Sequence, residues 1–253
     1  MTELDVAIEA ARAAGAILQA AGGAVEVRHK GAVDLVTEVD EAAEAAVRAV
    51  LSRHTPDIPV LGEEGGGPWD VGTRWIVDPL DGTTNFVHGF PWYCTSIGLE
   101  VDGVRQVGVI YAPVLDRLYA AERGGGATCD GAPIRVSACA DLGGALVATG
   151  FPYDRRTRAA RYLRDVERAL TRVQGLRRAG AAALDLALVA TGQLDAYWEH
   201  RIRPWDLAAG ALLVEEAGGR VTGHDGGPLD AEWPCPLASN GLLHASLQEM
   251  LAD

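Results

Sequence analysis

Hydrophobic and polar positions along this chain switch between a helical period and a strand period. Over residues 4–21, Val6, Ala10, Ile17 and Leu18 fall on one side of a helix, and Gly22-Gly23 stops it. Residues 24–36 read as a short strand and loop around His29, Lys30 and Gly31. A second helix runs from Glu38 to His54, and Thr37 and Asp40 have capping-box spacing at its start. Ile58–Leu61 and Trp75–Val77 are short apolar strands, each followed by acids and glycines. Residues 93–121 alternate as two or three antiparallel strands, with Asp102-Gly103 as a hairpin turn and Gly124–Gly126 as another turn. After Gly143-Gly144, a buried strand over Ala145–Thr149 is followed by an Arg-rich helix near 156–173 and an Ala-rich helix near 181–191. A strand over Ala196–Glu199, a helix over 206–217 and a terminal helix over 241–252 complete the pattern. There is no internal repeat and no long linker. A soft boundary near residue 140 divides a hairpin-rich half from a more regularly alternating one, which predicts an α/β sandwich of layered halves.

Composition narrows the function classes. The 253 residues are 48% hydrophobic and 23% charged, a balance that buries a core and excludes wholesale disorder. The net charge of −13 argues against a nucleic-acid partner, which needs a basic stripe, and is compatible with metal cations. No stretch reaches the ~18 uncharged apolar residues of a membrane span, so no membrane partner is expected. Glu3, Asp5 and Glu9 are unlike the basic start of a signal peptide. Cys94, Cys129, Cys139 and Cys235 form no C-x-x-C pair and read as free thiols in a reducing cytoplasm. Lys30 is the single lysine among 22 basic residues, which suggests a place where a compact ammonium is needed, although survival of one lysine by chance explains it as well.

Four acid clusters carry the candidate chemistry. In Trp75-Ile-Val-Asp78-Pro-Leu-Asp81-Gly-Thr-Thr-Asn-Phe86 an apolar strand ends in an acid and a second acid follows three residues later. Two carboxylates at a strand end, with a backbone carbonyl between them, suit a hard cation. The Gly82 and Thr83 amides can cradle a phosphate at a helix start. Glu63-Glu64 follows a strand, Asp206 opens a helix after Pro204-Trp205, and Asp34 and Asp40 flank the second helix start. Taken singly, each of these three also reads as an ordinary acidic turn or cap. The six histidines show no paired spacing for zinc, so oxygen-only ligation points to magnesium or manganese.

These residues resemble the inositol monophosphatase family. Asp78-Pro-Leu-Asp81-Gly-Thr-Thr-Asn, Gly62-Glu-Glu64 and Pro204-Trp-Asp206-Leu-Ala-Ala-Gly are similar to its signature motifs. Asp34-Leu-Val-Thr-Glu-Val-Asp40 and Asp195-Ala-Tyr-Trp-Glu199 match further segments in order, so the resemblance covers nearly the whole chain. It implies one domain over residues 1–253 with a layered α-β-α-β-α sandwich, shared with fructose-1,6-bisphosphatase, whose softer halves are 1–140 (metal and phosphate motifs) and 141–253 (the substrate-alcohol side). It also implies a homodimer, lithium sensitivity and a cytoplasmic enzyme that hydrolyses inositol monophosphate by metal-activated water attack. Glu64, Asp78 and the Leu80 carbonyl would hold a first magnesium ion; Asp78, Asp81 and Asp206 would hold a second; a weaker third would sit near Glu64. Thr83 and Asp40 would pair to deprotonate water, and the Gly82 and Thr83 amides would receive the phosphate. Asp81, Asp206, Glu199 and the Gly180–Ala182 turn would touch the alcohol portion of a small phosphorylated polyol or sugar, and Lys30 would lie on a loop beside the metals.

Three other readings stay open. An Asp-nucleophile phosphatase of the haloacid dehalogenase type also places Asp-Gly-Thr after a strand, but spaces its acids by two residues rather than three. The same scaffold serves fructose 1,6-bisphosphate, histidinol phosphate and nucleotide phosphates, and Arg177, Arg178, Arg201 and Arg203 are candidates for a second phosphate pocket. A non-catalytic regulatory binding protein is the third.

Overall fold

The computed structural model describes residues 1–22, 27–29 and 35–252. Lys30, Gly31 and Asp34 lie outside the described residues.

Helix α1 (Glu3–Ala21) starts where Thr2 and Asp5 cap each other reciprocally and ends at Gly22 in the left-handed region. Strands β1 (Val27–His29) and β2 (Leu35–Thr37) pair antiparallel and lead into α2 (Glu38–His54), which Thr37 and Asp40 cap as the spacing predicts.

A seven-stranded sheet follows in chain order: β3 (Val60–Gly62), β4 (Thr73–Asp81), β5 (Cys94–Val101), β6 (Val104–Ala112), β7 (Arg117–Glu122), β8 (Gly126–Cys129) and β9 (Ala132–Pro133). Only β3 and β4 pair parallel; the rest form an antiparallel meander. The hairpin at Asp102-Gly103 is present, with both residues at positive φ. The β8–β9 ribbon was not expected, because strands of four and two residues carry too little alternation to register. A short helix α3 (Thr83–Val87) leaves β4.

The second sheet has five strands in the order β11-β10-β12-β14-β13. They are β10 (Leu146–Thr149), β11 (Gly175–Arg177), β12 (Ala196–Trp198), β13 (Arg220–Gly223) and β14 (Pro236–Ser239). The helices of this half are α4 (Arg155–Leu170), α5 (Ala182–Ala190), α6 (Pro204–Glu216) and α7 (His244–Leu251). Strands β11, β13 and β14 escaped the sequence reading for the same reason as β8 and β9: each is three or four residues long.

Five layers result, as the resemblance implies. Helices α1 and α2 cover the outer face of the large sheet, burying Ala10, Ala14, Leu18, Val47 and Leu51 against Trp75, Val77 and Val109. Helices α5 and α6 lie between the sheets, and α4 and α7 close the far side on Trp198 and Leu237. The middle layer explains why α6 is apolar all round: ten of its thirteen residues are buried. Its seat is cut by two glycines. A Cβ on Gly98 would lie 2.8 Å from the Ala208 Cβ, and one on Gly108 would lie 2.7 Å from the Ala209 carbonyl oxygen. That close approach brings the start of α6, with Asp206, onto the end of β4. Among the described residues no helix is long and apolar enough to cross a membrane, and the four cysteines are free thiols.

Candidate active site

In a regular strand, residues three apart face opposite sides, so Asp78 and Asp81 could not share a site. The sequence reading gave an apolar strand over Trp75–Val77 with Asp78 at its end and Asp81 just beyond it. The structure instead carries β4 through Asp81 and breaks the β4–β5 register between Asp78 and Asp81. Pro79, which has no amide hydrogen to pair, sits in that bulge, and Thr95 of β5 donates its hydroxyl to the Pro79 carbonyl at 3.0 Å. The bulge turns both carboxylates to one place. Asp206 joins them from the first turn of α6, whose entry is tied to β5 by Ser96 Oγ donating to the Trp205 carbonyl at 3.2 Å. One oxygen from each of Asp78, Asp81 and Asp206 lies within 4.8 Å of the others.

Backbone amides orient each carboxylate. The Leu80 amide donates to Asp78 Oδ1 (3.0 Å), the Ala183 amide at the start of α5 to Asp81 Oδ2 (2.7 Å), and the Arg203 amide to Asp206 Oδ2 (2.8 Å). The carboxylates load one another with like charge. Burial, then the negative charges of Glu63, Asp81 and Asp206, hold the Asp78 pKa well above the carboxylate range. Burial, then Asp81 and Glu63, do the same to Asp206. Burial pushes Asp81 up to about 6 against the opposing hydrogen bonds of the α5 amides. Like charges converging in a buried site, with oxygen donors, are what a hard divalent cation neutralises, so the donor set fits magnesium or manganese.

The Glu63-Glu64 pair is resolved by register, and the expectation for Glu64 is corrected. Parallel pairing sets Gly62 beside Val77, and the Glu63 amide donates to the Val77 carbonyl at 3.1 Å, so Glu63 is the residue next to Asp78. Glu63 lines the cavity and Glu64 does not. The Glu64 and Gly65 amides both donate to the buried Glu44 carboxylate, each at 2.8 Å, which fixes this turn onto α2.

Thr83, at the start of α3, donates its hydroxyl to Asp40 Oδ1 (3.0 Å) and lies 3.1 Å from the Leu80 carbonyl. Burial raises the Asp40 pKa, with Thr37 and Thr83 hydrogen bonds opposing. Gly82 holds φ of 94°, and a Cβ there would lie 2.9 Å from the Trp92 carbonyl oxygen, so only glycine starts α3 this way.

These groups line a cavity of about 490 Å³ whose opposite wall comes from the second half of the chain. Gly180, Ala181 and Ala182 border it, tied to α3 by Asn85 Nδ2 donating to the Ala179 carbonyl at 2.9 Å. Glu199, at the end of β12, accepts the Tyr197 hydroxyl at 2.6 Å, and burial raises its pKa to about 7. A Cβ on Gly150 would overlap the Glu199 carboxylate, so Gly150 leaves that side chain its room. Asp195 of the same motif stands elsewhere, accepting the Leu146 amide at 2.7 Å and the Ser137 hydroxyl, and is structural.

Sequence reasoning missed two features of this wall. Asp185, buried beside Asp81 and bonded by Trp92 Nε1 at 3.3 Å, lines the cavity with its pKa raised by burial and by the Asp81 charge. Its signal was available: it is the single charged residue of α5. Of the four arginines singled out, Arg178, Arg201 and Arg203 line the cavity, joined by Arg155, whereas Arg177 is exposed on β11.

The model of the inositol monophosphatase family matches residues 1–253. An inositol-1-monophosphatase of Synechocystis is 45% identical over 255 residues, covering 99% of this chain and 89% of that protein. A Nus factor SuhB of Salmonella typhimurium is 42% identical over 231 residues, covering 88% of this chain and 86% of that one. The solved structure of inositol monophosphatase from Anabaena superimposes with a TM-score of 0.90 at 45% identity, covering 98% of this chain and 94% of that chain.

Proposed function

The chain belongs to the inositol monophosphatase family, a family of metal-dependent phosphatases, and on that premise we propose that it hydrolyses inositol monophosphate to inositol and phosphate with magnesium. The observation that carries this reading is the convergence of Asp78, Asp81 and Asp206 within 4.8 Å on the wall of one cavity. Glu63, Asp78 and the Leu80 carbonyl would hold one ion, and Asp78, Asp81 and Asp206 a second. When bound, the ions supply positive charge to a dianionic ester and make water a stronger nucleophile.

The chain's own groups do the rest. The amides of Gly82, the N-cap of α3, and of Thr83 in its first turn have no intrahelical acceptor and point the helix start at phosphoryl oxygens. Thr83 Oγ1 takes a proton from the attacking water while passing its own to Asp40 Oδ1, whose burial makes it the more ready acceptor. Glu199, Asp81 and the Gly180–Ala182 turn bind the polyol hydroxyls, and Asp185 adds an acceptor beside them. The acidic walls favour a hydroxyl-rich alcohol over a second anion near Glu199. A homodimer and inhibition by lithium belong to the same proposal.

A second reading, a sugar bisphosphate such as fructose 1,6-bisphosphate, is favoured by Arg178, Arg201 and Arg203 on the cavity rim. Relatives named Nus factor SuhB bring a regulatory reading to this chain as well, and the retained carboxylate cluster speaks for catalysis beside it. The test is phosphate release from inositol 1-phosphate, fructose 1,6-bisphosphate and histidinol phosphate, with and without magnesium. Highest kcat/KM on inositol 1-phosphate supports the first reading. Preference for the bisphosphate replaces it with the second, and no turnover on any ester leaves the regulatory one.

A further inference from the structure

Gly65, Gly66 and Gly67 follow Glu63 and Glu64 in the turn after β3, with Gly66 at φ of 60° and Gly67 at φ of 151°. A run of glycines explores many conformations unless something outside it fixes one. Here the support comes from α2. The buried Glu44 carboxylate accepts the Glu64 amide on Oε2 and the Gly65 amide on Oε1, each at 2.8 Å. Arg48, one turn further along α2, donates Nε to Glu44 Oε1 at 2.7 Å. Its other two nitrogens reach the Val60 carbonyl at 3.2 Å and the Gly66 carbonyl at 2.6 Å. The Gly62 amide closes the loop onto the Gly66 carbonyl at 3.0 Å. A Cβ on Gly62 would lie 2.5 Å from Glu44 Oε1, and one on Gly65 would lie 2.6 Å from it, so both glycines leave room for this carboxylate.

We propose that Glu44 is the positioning residue for Glu63: through the backbone of this turn it sets where the Glu63 carboxylate stands against Asp78, a role that rests on Glu63 being a metal ligand. The Glu63 amide is held by the Val77 carbonyl of β4 at 3.1 Å, and the next two amides are held by Glu44. The Glu63 backbone is thus pinned between the sheet on one side and α2 on the other, and its side-chain torsions alone stay adjustable. A bound ion needs this, since it tolerates errors of only about 0.2 Å in ligand distance. Glu44 itself does not line the cavity, so it acts through Glu63.

A buried carboxylate destabilises a fold unless it is paired and hydrogen-bonded, and the Arg48 guanidinium and the two amides meet that condition here. Asp40 lies one turn before Glu44 on the same face of α2, and both are buried. One rigid helix therefore carries the partner of Thr83 and the support of Glu63, which fixes the proton acceptor and the metal ligand relative to each other. Glu44→Gln keeps the shape of the side chain but exchanges one oxygen for an NH2 group. That group then meets a backbone N–H or the Arg48 guanidinium donor to donor, and the turn loses at least one of its holds.

The test reads metal binding and uses no phosphatase assay. Manganese alone is titrated into the ion-free full-length protein, and the free ion is followed by electron paramagnetic resonance. Glu63→Gln first marks the binding step that Glu63 serves. Glu44→Gln, checked for folding by circular dichroism, should weaken that same step by roughly tenfold or more. Added to Glu63→Gln, it should weaken binding by no more than about twofold further, because the group it acts through is already gone. Asp195→Asn disturbs buried hydrogen bonds away from the cavity and should lower Tm while leaving manganese affinity unchanged, which separates positioning from a general loss of stability. Arg48→Met, at the more exposed end of the pair, should weaken the same step and carries the test if Glu44→Gln does not fold. Wild-type manganese affinity in a folded Glu44→Gln, or in Arg48→Met where that variant stands in for it, overturns the proposal. Losses that simply add in the double variant, or an equal loss in Asp195→Asn, overturn it too. If Glu63→Gln leaves every binding step unchanged, the ligand reading itself falls and the positioning role falls with it.

Discussion

Thr83 donates its hydroxyl to Asp40 Oδ1 across 43 positions of sequence, while Asp40 Oδ2 accepts the Thr37 amide at 2.9 Å. One carboxylate thus caps α2 with one oxygen and faces the site with the other. If the pair relays a proton, Thr83→Ala should lower kcat by roughly 10²–10⁴ with little change in KM, and Thr83→Ser should keep most of the rate. Steady-state kinetics on the preferred ester decide it; a wild-type kcat in Thr83→Ala removes the relay.

The acid cluster predicts a pH-dependent response to magnesium. Asp81 folds with its pKa at about 6, and Asp78 and Asp206 with theirs well above the carboxylate range. A carboxyl whose folded pKa is raised supports the fold fully below its unfolded value of about 3.9 and loses that support as pH rises through the folded value. The ion-free protein therefore carries growing repulsion between about pH 4 and 6 and beyond, and a divalent ion relieves it. The gain in Tm from magnesium over EDTA should be small at pH 5 and large at pH 8. Histidine titrations are common to both conditions and cancel. An equal gain at both values speaks against the cluster as the metal site.

Register places Glu63, not Glu64, beside Asp78. Glu63→Gln should raise the magnesium concentration for half-maximal activity by roughly tenfold to a hundredfold or more, and Glu64→Gln should leave it near wild type. The opposite ranking in a magnesium titration would return the ligand to Glu64.

Asp206 depends on how closely α6 sits on the sheet. Gly108→Val would drive a side chain into the Ala209 backbone, 2.7 Å from where its Cβ must go. Overpacking of this kind costs about 1–3 kcal/mol, so denaturant unfolding should show a lower midpoint with an unchanged slope. Turnover should fall as well, because the displaced helix carries Asp206. Wild-type stability in this variant would show that the seat is looser than the glycines suggest.

Much of the molecule could be read from the chain before folding was considered. The capping box of Thr37 with Asp40 is a local spacing and stands where expected; that of Thr2 with Asp5 is equally local and went unread. The long helices and the Asp102-Gly103 hairpin announce themselves through period and turn chemistry. Strands β8, β9, β11, β13 and β14, of two to four residues, did not, since a pattern so short is shared by loops.

Sequence alone determined the kinds of groups available: four acid clusters, a Gly82-Thr83 turn after the second acid, and the helix that Asp206 opens. Tertiary structure decided which of them meet. The bulge at Pro79 turns Asp78 and Asp81 to one side, the β3–β4 register selects Glu63 over its neighbour, and the glycine seat under α6 carries Asp206 to Asp78. Asp185 and Arg178 joined their neighbours only through packing. The physical reason is that periodicity tells a residue which face of its own element it occupies, whereas distances between elements are set by register, crossing and the volume of the side chains between them.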